Sequence, residues 1–209
     1  MNLAVPDNAG SIQAIPLPDG VITLHRNVFE AEHDRLFQTF YTEIPWQQQV
    51  ITLYGRTVAS PRLSAWYGDP GAVYRYSGLQ LDPLPWTPVL LEIKQVVTEL
   101  AATPFNSVLL NLYRDGQDSM GWHSDAEPEL GRDPVIASVS LGAVRRFVLR
   151  HKKRKEQSIA LELEPGSVLV MGGPLQHHWR HALPKTRQPV GPRINLTFRL
   201  IQRLEQTPA

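Results

Sequence analysis

The chain contains no cysteine, which excludes disulfide frameworks, thiolate metal sites, iron–sulfur clusters and thiol nucleophiles. Chemistry must then rest on His, Asp, Glu, Tyr, Ser or a metal held by nitrogen and oxygen. Long apolar runs are missing too. No stretch approaches the roughly 18 residues that cross a bilayer, and the N-terminal segment lacks the basic and apolar regions of a secretory signal. A cytoplasmic protein with no membrane attachment is the expectation. Net charge is small as well, +1 over 209 residues, and taken alone such a balance argues against nucleic acid as a partner. With 42% apolar residues, the length suits one soluble domain with a core of its own.

The charge is unevenly placed. Residues 145–155 (RRFVLRHKKRK) carry seven Lys or Arg and no acid, and residues 165–204 carry six Lys or Arg and no acid. Asp115, Asp118, Asp125, Glu127, Glu129 and Asp133 lie close together in sequence. This layout predicts a basic face and an acidic pocket.

Residues 1–20, rich in Pro, Asn, Asp and Gly, read as a poorly ordered lead-in. Phe29, Leu36, Phe37 and Phe40 fit one helical face. A second helix has Thr87 as cap, Pro88 in the first turn, and Leu90, Ile93, Val97 and Leu100 at helical spacing. After Pro104 the pattern changes to short alternating runs divided by turn residues: SVLLNLY, VIASVSLG, RFVLRH, SIALELE, SVLVMG and RINLTFRLI. The fold class is therefore mainly β with flanking α-helices, an antiparallel sandwich or barrel.

Three segments carry chemistry. In an extended His123-Ser124-Asp125, imidazole and carboxylate point to the same side. A second cluster, Gln176-His177-His178-Trp179-Arg180-His181, follows a Gly-Gly-Pro turn, and if it is extended His177 and His181 share a face. Two imidazoles and a carboxylate with open positions suit non-haem Fe(II) oxygenases, and a zinc hydrolase uses the same ligand types. The last run separates the readings. Ile194, Leu196, Phe198 and Leu200 alternate with Arg193, Asn195, Thr197 and Arg199, so two guanidiniums and two neutral polar groups project opposite an apolar stripe. On a second run, Leu109, Asn111 and Tyr113 share a side. Arginine's fixed fork suits carboxylates, and a dicarboxylic acid cosubstrate fits these donors.

Together, Asn111-Leu112-Tyr113, Gly121-Trp122-His123-Ser124-Asp125, Ala137-Ser138-Val139-Ser140-Leu141-Gly142, His178-Trp179-Arg180-His181-Ala182-Leu183-Pro184 and Pro192-Arg193-Ile194-Asn195-Leu196-Thr197-Phe198-Arg199 resemble the AlkB-type Fe(II)/2-oxoglutarate dioxygenases, closest to the branch that repairs duplex DNA. The likeness runs from about residue 48 to 201. It implies a double-stranded β-helix (jelly-roll) core over residues 106–203, preceded by N-terminal helices and a nucleotide-recognition lid over 21–105, as one structural domain. It implies Fe(II) on His123, Asp125 and His181, which settles on His181 over His177. It implies 2-oxoglutarate on Asn111, Tyr113, Arg193, Thr197 and Arg199, with Arg199 on the distal carboxylate and Arg193 orienting Asp125.

The resemblance also implies a substrate: N-alkylated bases such as 1-methyladenine and 3-methylcytosine in duplex or single-stranded DNA, with RNA as a further candidate, restored with release of formaldehyde. Residues 65–78 resemble the lid, in which Tyr74 would bond the base or a flanking phosphate while Tyr76 and His123 sandwich the ring. Glu127 matches an acid that favours a cationic alkylated base. Leu53-Tyr54-Gly55-Arg56 resembles the hairpin tip that fills the gap left by a flipped base, with Tyr54 in place of the Phe of the duplex branch. The run Arg145–Lys155, with Lys185 and Arg187, falls where that branch contacts the backbone. The protein is expected to act as a monomer. Two other readings are a catalytically idle nucleic-acid-binding jelly-roll and a zinc hydrolase, the latter leaving Arg193 and Arg199 without a role.

Overall fold

The computed structural model of the chain describes residues 11–53, 56–76 and 79–202. In chain order its elements are β1 (Ile12–Ile15), β2 (Val21–His25), α1 (His33–Glu43), β3 (Val50–Leu53), β4 (Arg56–Ala59), β5 (Leu63–Gly68), β6 (Tyr74–Tyr76), β7 (Leu79–Leu81) and α2 (Pro88–Ala101). There follow β8 (Ser107–Tyr113), β9 (Met120–His123), β10 (Ile136–Gly142), β11 (Arg145–His151), β12 (Ser158–Leu163), β13 (Val168–Gly172), the short α3 (Leu175–His178), β14 (Trp179–Leu183) and β15 (Arg193–Arg199). One sheet has the order β1-β2-β13-β10-β15-β8-β5, a second the order β12-β11-β14-β9, and β3 with β4 and β6 with β7 form separate hairpins. Neighbours in the sheets are mostly distant in sequence, as the jelly-roll requires.

Alternation on the central strands builds the layers. Val108, Leu110 and Leu112 of β8, Ala137, Val139 and Leu141 of β10, and Ile194, Leu196 and Phe198 of β15 pack with Leu36 and Phe40 of α1 and Leu90, Ile93 and Val97 of α2. The other face of the same sheet meets the second sheet through Ile22, Leu24, Ile136, Leu149, Leu163, Leu169, Met171 and Trp179. Phe198, fully buried against Phe105 and Trp86, belongs to a class of side chain whose truncation costs about 3–5 kcal/mol.

The helices follow from local chemistry. The Thr87 hydroxyl accepts the Leu90 N–H at 3.3 Å, and α2 ends at Ala102, whose left-handed backbone (φ 47°) breaks the repeat. Helix α1 begins four residues after Phe29, which itself follows a turn at Asn27 with a positive φ of 59°. It stops at Ile44, held extended before Pro45. Residues 12–15, within the stretch expected to be a lead-in, form a strand that pairs in register with β2, Ile12 opposite His25. Among the described residues no helix is long and apolar enough to cross a membrane.

Arg145 opens the basic run, yet it does not reach solvent. It shares the inward side of β11 with Leu149 and His151 and is 3% exposed. Its guanidinium donates to the carbonyls of Asp115 (2.9 Å), Asp118 (2.9 Å) and Pro184 (2.8 Å). It is therefore a structural tie from β11 to two loops, β8–β9 and β14–β15, and not a phosphate contact. Arg145→Met is expected to lower unfolding free energy by about 3 kcal/mol, because buried carbonyls lose a charged donor; denaturant titration with a midpoint near wild type would refute the tie.

Candidate active site

Between the two sheets lies a cavity lined by Asn111, Tyr113, Ser138, His123, Asp125, His181, Arg193, Asn195, Thr197 and Arg199, with Leu109, Met120, Phe147, Met171 and Leu183 as its apolar walls. Register brings the polar residues together. Asn195 stands opposite Asn111 and Arg193 opposite Tyr113 on β8, while Thr197 faces Ser138 on β10. These residues are buried, so the polar side of β15 is an interior surface.

His123 ends β9 and His181 lies on β14, and the two are direct cross-strand partners. Asp125 follows two residues after His123, its N–H bonded to the side-chain carbonyl of Gln176 at 3.0 Å. One Asp125 oxygen lies 3.9 Å from His123 Nε2 and the other 3.9 Å from His181 Nε2, and the ligating atoms all fall within 4.8 Å of one another. His123 Nδ1 sits 2.9 Å from the Gly121 carbonyl. A carbonyl only accepts, so Nδ1 carries the proton and Nε2 presents its lone pair, the tautomer a metal needs.

Electrostatics prepare the same state. Burial pushes the Asp125 carboxyl up, but the charges of Arg199, His181 and His123 and the Arg199 hydrogen bond outweigh it and hold the group at about 2. Burial, with the charge of His123, pushes His181 down to about 3 against the pull of Asp125. Near neutral pH the trio thus offers one carboxylate and a neutral His181 imidazole, a facial set that fits Fe(II) and leaves coordination positions for other ligands.

A second group, Asp19, His151 and His178, also clusters within 4.8 Å, and its chemistry differs. His151 Nδ1 accepts the backbone N–H groups of Lys153 (3.2 Å) and Arg154 (2.9 Å). Nε2 must then carry the proton, which it gives to Asp19 at 3.2 Å. This is a hydrogen-bonded clip that holds residue 19 on the core, since His151 has no lone pair left for a metal.

The contact with Asp125 that was expected of Arg193 is made by Arg199. Arg199 Nη2 lies 3.1 Å from Asp125 and orients the metal-site carboxylate. Arg193 does not contact Asp125. It donates to Ser140 Oγ (2.9 Å) and Asn195 Oδ1 (2.8 Å), packs over Tyr113 at 5.5 Å, and its Nε has no hydrogen-bond partner. Burial, with a further push from Arg145, lowers Arg193 to about 10 against the pull of Tyr113. A buried guanidinium with an unpaired N–H and no carboxylate among the described residues fits a carboxylate-bearing cosubstrate.

Two other expectations are corrected, the acidic pocket and the shared face of His177 and His181. The acids do not form a pocket: Asp118 is taken by Arg114 at 2.8 Å and Asp133 by His177 at 3.2 Å, and Asp125 is the one that lines the cavity among the described residues. His177 does not share a strand face with His181, because residues 175–178 are helical. Glu127 is partly buried just before a 3-10 turn and is not among the cavity-lining residues. The backbones of Tyr74 and Tyr76 lie in β6, opposite Leu81 and Leu79. Tyr54 falls outside the described residues.

Sequence reasoning passed over three supporting groups. Arg62 Nε donates to Asn111 Oδ1 at 2.9 Å, which leaves the Asn111 amide NH₂ as its free donor. Gln176 holds Asp125, and Ser138 and Ser140 hold Asn195 and Arg193. The serines were legible as the polar alternates of VIASVSLG, whereas nothing local marks Arg62 or Gln176.

Residues 20–199 match the 2OG-Fe(II) oxygenase superfamily, and the chain belongs to that family, whose cofactors are Fe(II) and 2-oxoglutarate. Among curated proteins it is 42% identical over 179 residues to the cattle alpha-ketoglutarate-dependent dioxygenase alkB homolog 3, covering 81% of this chain and 62% of that protein. It is also 42% identical over 182 residues to the cattle DNA oxidative demethylase ALKBH2, covering 82% of this chain and 66% of that protein. The human ALKBH2 gives 42% identity over 182 residues, with 82% and 70% covered. The chain thus spans somewhat under two thirds of the cattle proteins' lengths. Among solved structures, OsALKBH1 superposes with a TM-score of 0.55 at 19% identity, covering 90% of this chain and all of that one, a likeness of fold.

Proposed function

We propose that the protein is an oxidative demethylase that removes N-alkyl groups of the 1-methyladenine and 3-methylcytosine type from DNA, with RNA as a further substrate. One observation carries the reading: His123, Asp125 and His181 share a cavity with Arg193, a buried guanidinium that has no carboxylate partner among the described residues. The names of the ALKBH2 relatives support DNA as the substrate.

The geometry supports a division of labour. His123, Asp125 and His181 hold the iron, and Arg199 keeps Asp125 charged and aimed. Arg193 takes the distal carboxylate of 2-oxoglutarate, with Asn111, Tyr113 and Thr197 beside it. Iron and 2-oxoglutarate supply the dioxygen-dependent hydroxylation of the N-methyl carbon. The resulting N-hydroxymethyl group loses formaldehyde and leaves the base with its ring nitrogen restored. The apolar walls and the sheet-on-sheet packing exclude water from this step.

The methyl group sits on the pairing edge, so the base must leave the stack, at a cost of a few kcal/mol that is smallest for an unpaired lesion. Tyr74, Tyr76 and Glu127 would receive it, and Tyr54 would fill the vacated gap. Exposed Arg146, Lys153, Lys155, Lys185 and Arg187 supply charge for the backbone. Tyr54→Ala is expected to cut turnover of methylated duplex about tenfold, since one stacking contact is worth roughly 1–3 kcal/mol, and to spare methylated single strand. Equal losses on both substrates would refute the wedge.

The direct test of the reading is demethylation of a methylated oligonucleotide that needs both Fe(II) and 2-oxoglutarate. An oligonucleotide that binds but keeps its methyl group would favour the idle binding protein.

A further inference from the structure

Asp125 is held by a neighbour that is itself held from outside the site. The Asp125 N–H donates to Gln176 Oε1 at 3.0 Å, and Gln176 is 1% exposed with an Nε2 that has no hydrogen-bond partner. The side chain of Gln176 is therefore placed by packing and by the turn that carries it. That turn, α3, has four residues, too few to stand without tertiary contacts. Two sets of contacts pin it. From the end of β11, Lys152 donates through Nζ to the Gln176 carbonyl (2.8 Å) and through its backbone N–H to the His178 carbonyl (2.7 Å). The second set comes from Pro18, Asp19 and Gly20, just before β2. The Pro18 carbonyl accepts the Trp179 Nε1–H at 2.9 Å. Asp19 takes the His151 Nε2–H at 3.2 Å, and the His151 ring stands edge-on against Trp179 with centroids 5.3 Å apart. Gly20 passes so close to Leu175 that a Cβ there would collide with the leucine side chain.

We infer that residues 18–20 form a strap that sets the position of the metal-site carboxylate, with Asp19 and Gln176 as positioning residues. The path consists of named bonds: Asp19 to His151, the neighbouring Lys152 to α3, and Gln176 to the N–H of Asp125. The strap also reaches Trp179, which opens β14 two residues before His181 and shares its face of the strand. It therefore acts on two of the three ligands. Partners outside the ligand set fix the orientation of the ligands and with it the affinity for metal. Cosubstrate holding is separate, because Arg193 is bonded to Ser140 and Asn195 on the other sheet. The inference rests on the assignment of the metal to His123, Asp125 and His181, and is independent of the substrate.

The test is titration of the full chain with Mn²⁺, read from the paramagnetic resonance of the free ion. Asp19→Ala is expected to lower Mn²⁺ affinity about tenfold, the low end of the range for outer partners of metal ligands. Asp19→Asn, which keeps an oxygen for the His151 N–H, should restore it. Gln176→Leu should lose at least as much as Asp19→Ala, and the two losses should not add: in a Gln176→Leu chain, Asp19→Ala is expected to cost little more, since the residues act along one path. The 2-oxoglutarate concentration for half-maximal consumption at saturating Fe(II) should stay near wild type in both single variants, which a general loosening of the fold would not allow. Trp179→Phe removes the N–H held by Pro18 but keeps a ring; it should weaken Mn²⁺ binding in the same way, and it decides the matter if Asp19→Ala does not fold. Wild-type Mn²⁺ affinity in the strap variants, additive losses in the double variant, or a 2-oxoglutarate requirement that rises as far as metal affinity falls overturns the strap. Asp125→Ala with wild-type Mn²⁺ affinity would instead overturn the metal assignment, and the strap with it.

Discussion

Asp125→Ala is expected to abolish demethylation while affinity for the methylated oligonucleotide stays within a fewfold of wild type. Asp125 is the carboxylate of the ligand trio, 3% exposed, with its oxygens divided between the two histidines at 3.9 Å each. Removing it takes away both a ligand and the charge that balances a divalent ion beside Arg199. Altering groups that merely orient a ligand costs 10–100-fold in metal affinity or activity, by general experience, so loss of the ligand itself should exceed about 100-fold. The proposed base and backbone contacts lie on other residues, so binding of the strand is expected to survive. Titration with Fe(II), or with Mn²⁺ as a redox-inert probe, should show the loss of metal affinity directly. Retained demethylation would sink the metal assignment.

Arg193→Gln is expected to raise the 2-oxoglutarate requirement by about 100-fold, leaving oligonucleotide affinity and metal affinity close to wild type. Truncating one partner of a buried, hydrogen-bonded charge pair costs about 2–5 kcal/mol, and 2.8 kcal/mol corresponds to about 100-fold. The guanidinium is 2% exposed, bonded to Ser140 and Asn195, with Nε unpaired. Its position at the far end of β15 from Arg199 separates cosubstrate holding from metal orientation. Arg199→Gln should accordingly weaken metal binding first, through the 3.1 Å contact with Asp125. Cosubstrate dependence that is unchanged in the Arg193 variant and raised in the Arg199 variant would restore the opposite assignment.

The fall of the Asp125 contact to Arg199 and not to Arg193 shows what alternation in a sequence conveys. The period of two in RINLTFR places Arg193, Asn195, Thr197 and Arg199 on one face and Ile194, Leu196 and Phe198 on the other, and the packing agrees with it. Alternation says nothing about which end of the strand lies at the metal, and that end is set by the distant Asp125 loop. The same rule applied to Gln176–His181 fails for His177, because residues 175–178 coil into a turn of helix and only β14 alternates. Arg145 was legible as an inward position beside Phe147 and Leu149, but within a run of basic residues it reads as surface charge. The acids near Asp125 were visible as a cluster, and local pairing with Arg114 and His177 takes two of them out of the site. Arg62 and Gln176 act across 49 and 51 residues of sequence, a separation that local pattern does not report. Thr87 and Pro88 lie at the other extreme: cap and first turn are neighbours, and α2 starts where they place it.

The central claim is that the His123–Asp125–His181 cavity oxidises N-methyl groups on nucleic acid at the expense of 2-oxoglutarate. The most direct measurement is mass spectrometry of an oligonucleotide carrying 1-methyladenine or 3-methylcytosine after incubation with the protein, Fe(II), 2-oxoglutarate and oxygen, with formaldehyde assayed in parallel. The expected result is loss of one methyl group with stoichiometric formaldehyde, absent when 2-oxoglutarate is withheld. A methyl group that persists under complete conditions, or that is lost without 2-oxoglutarate, would contradict it.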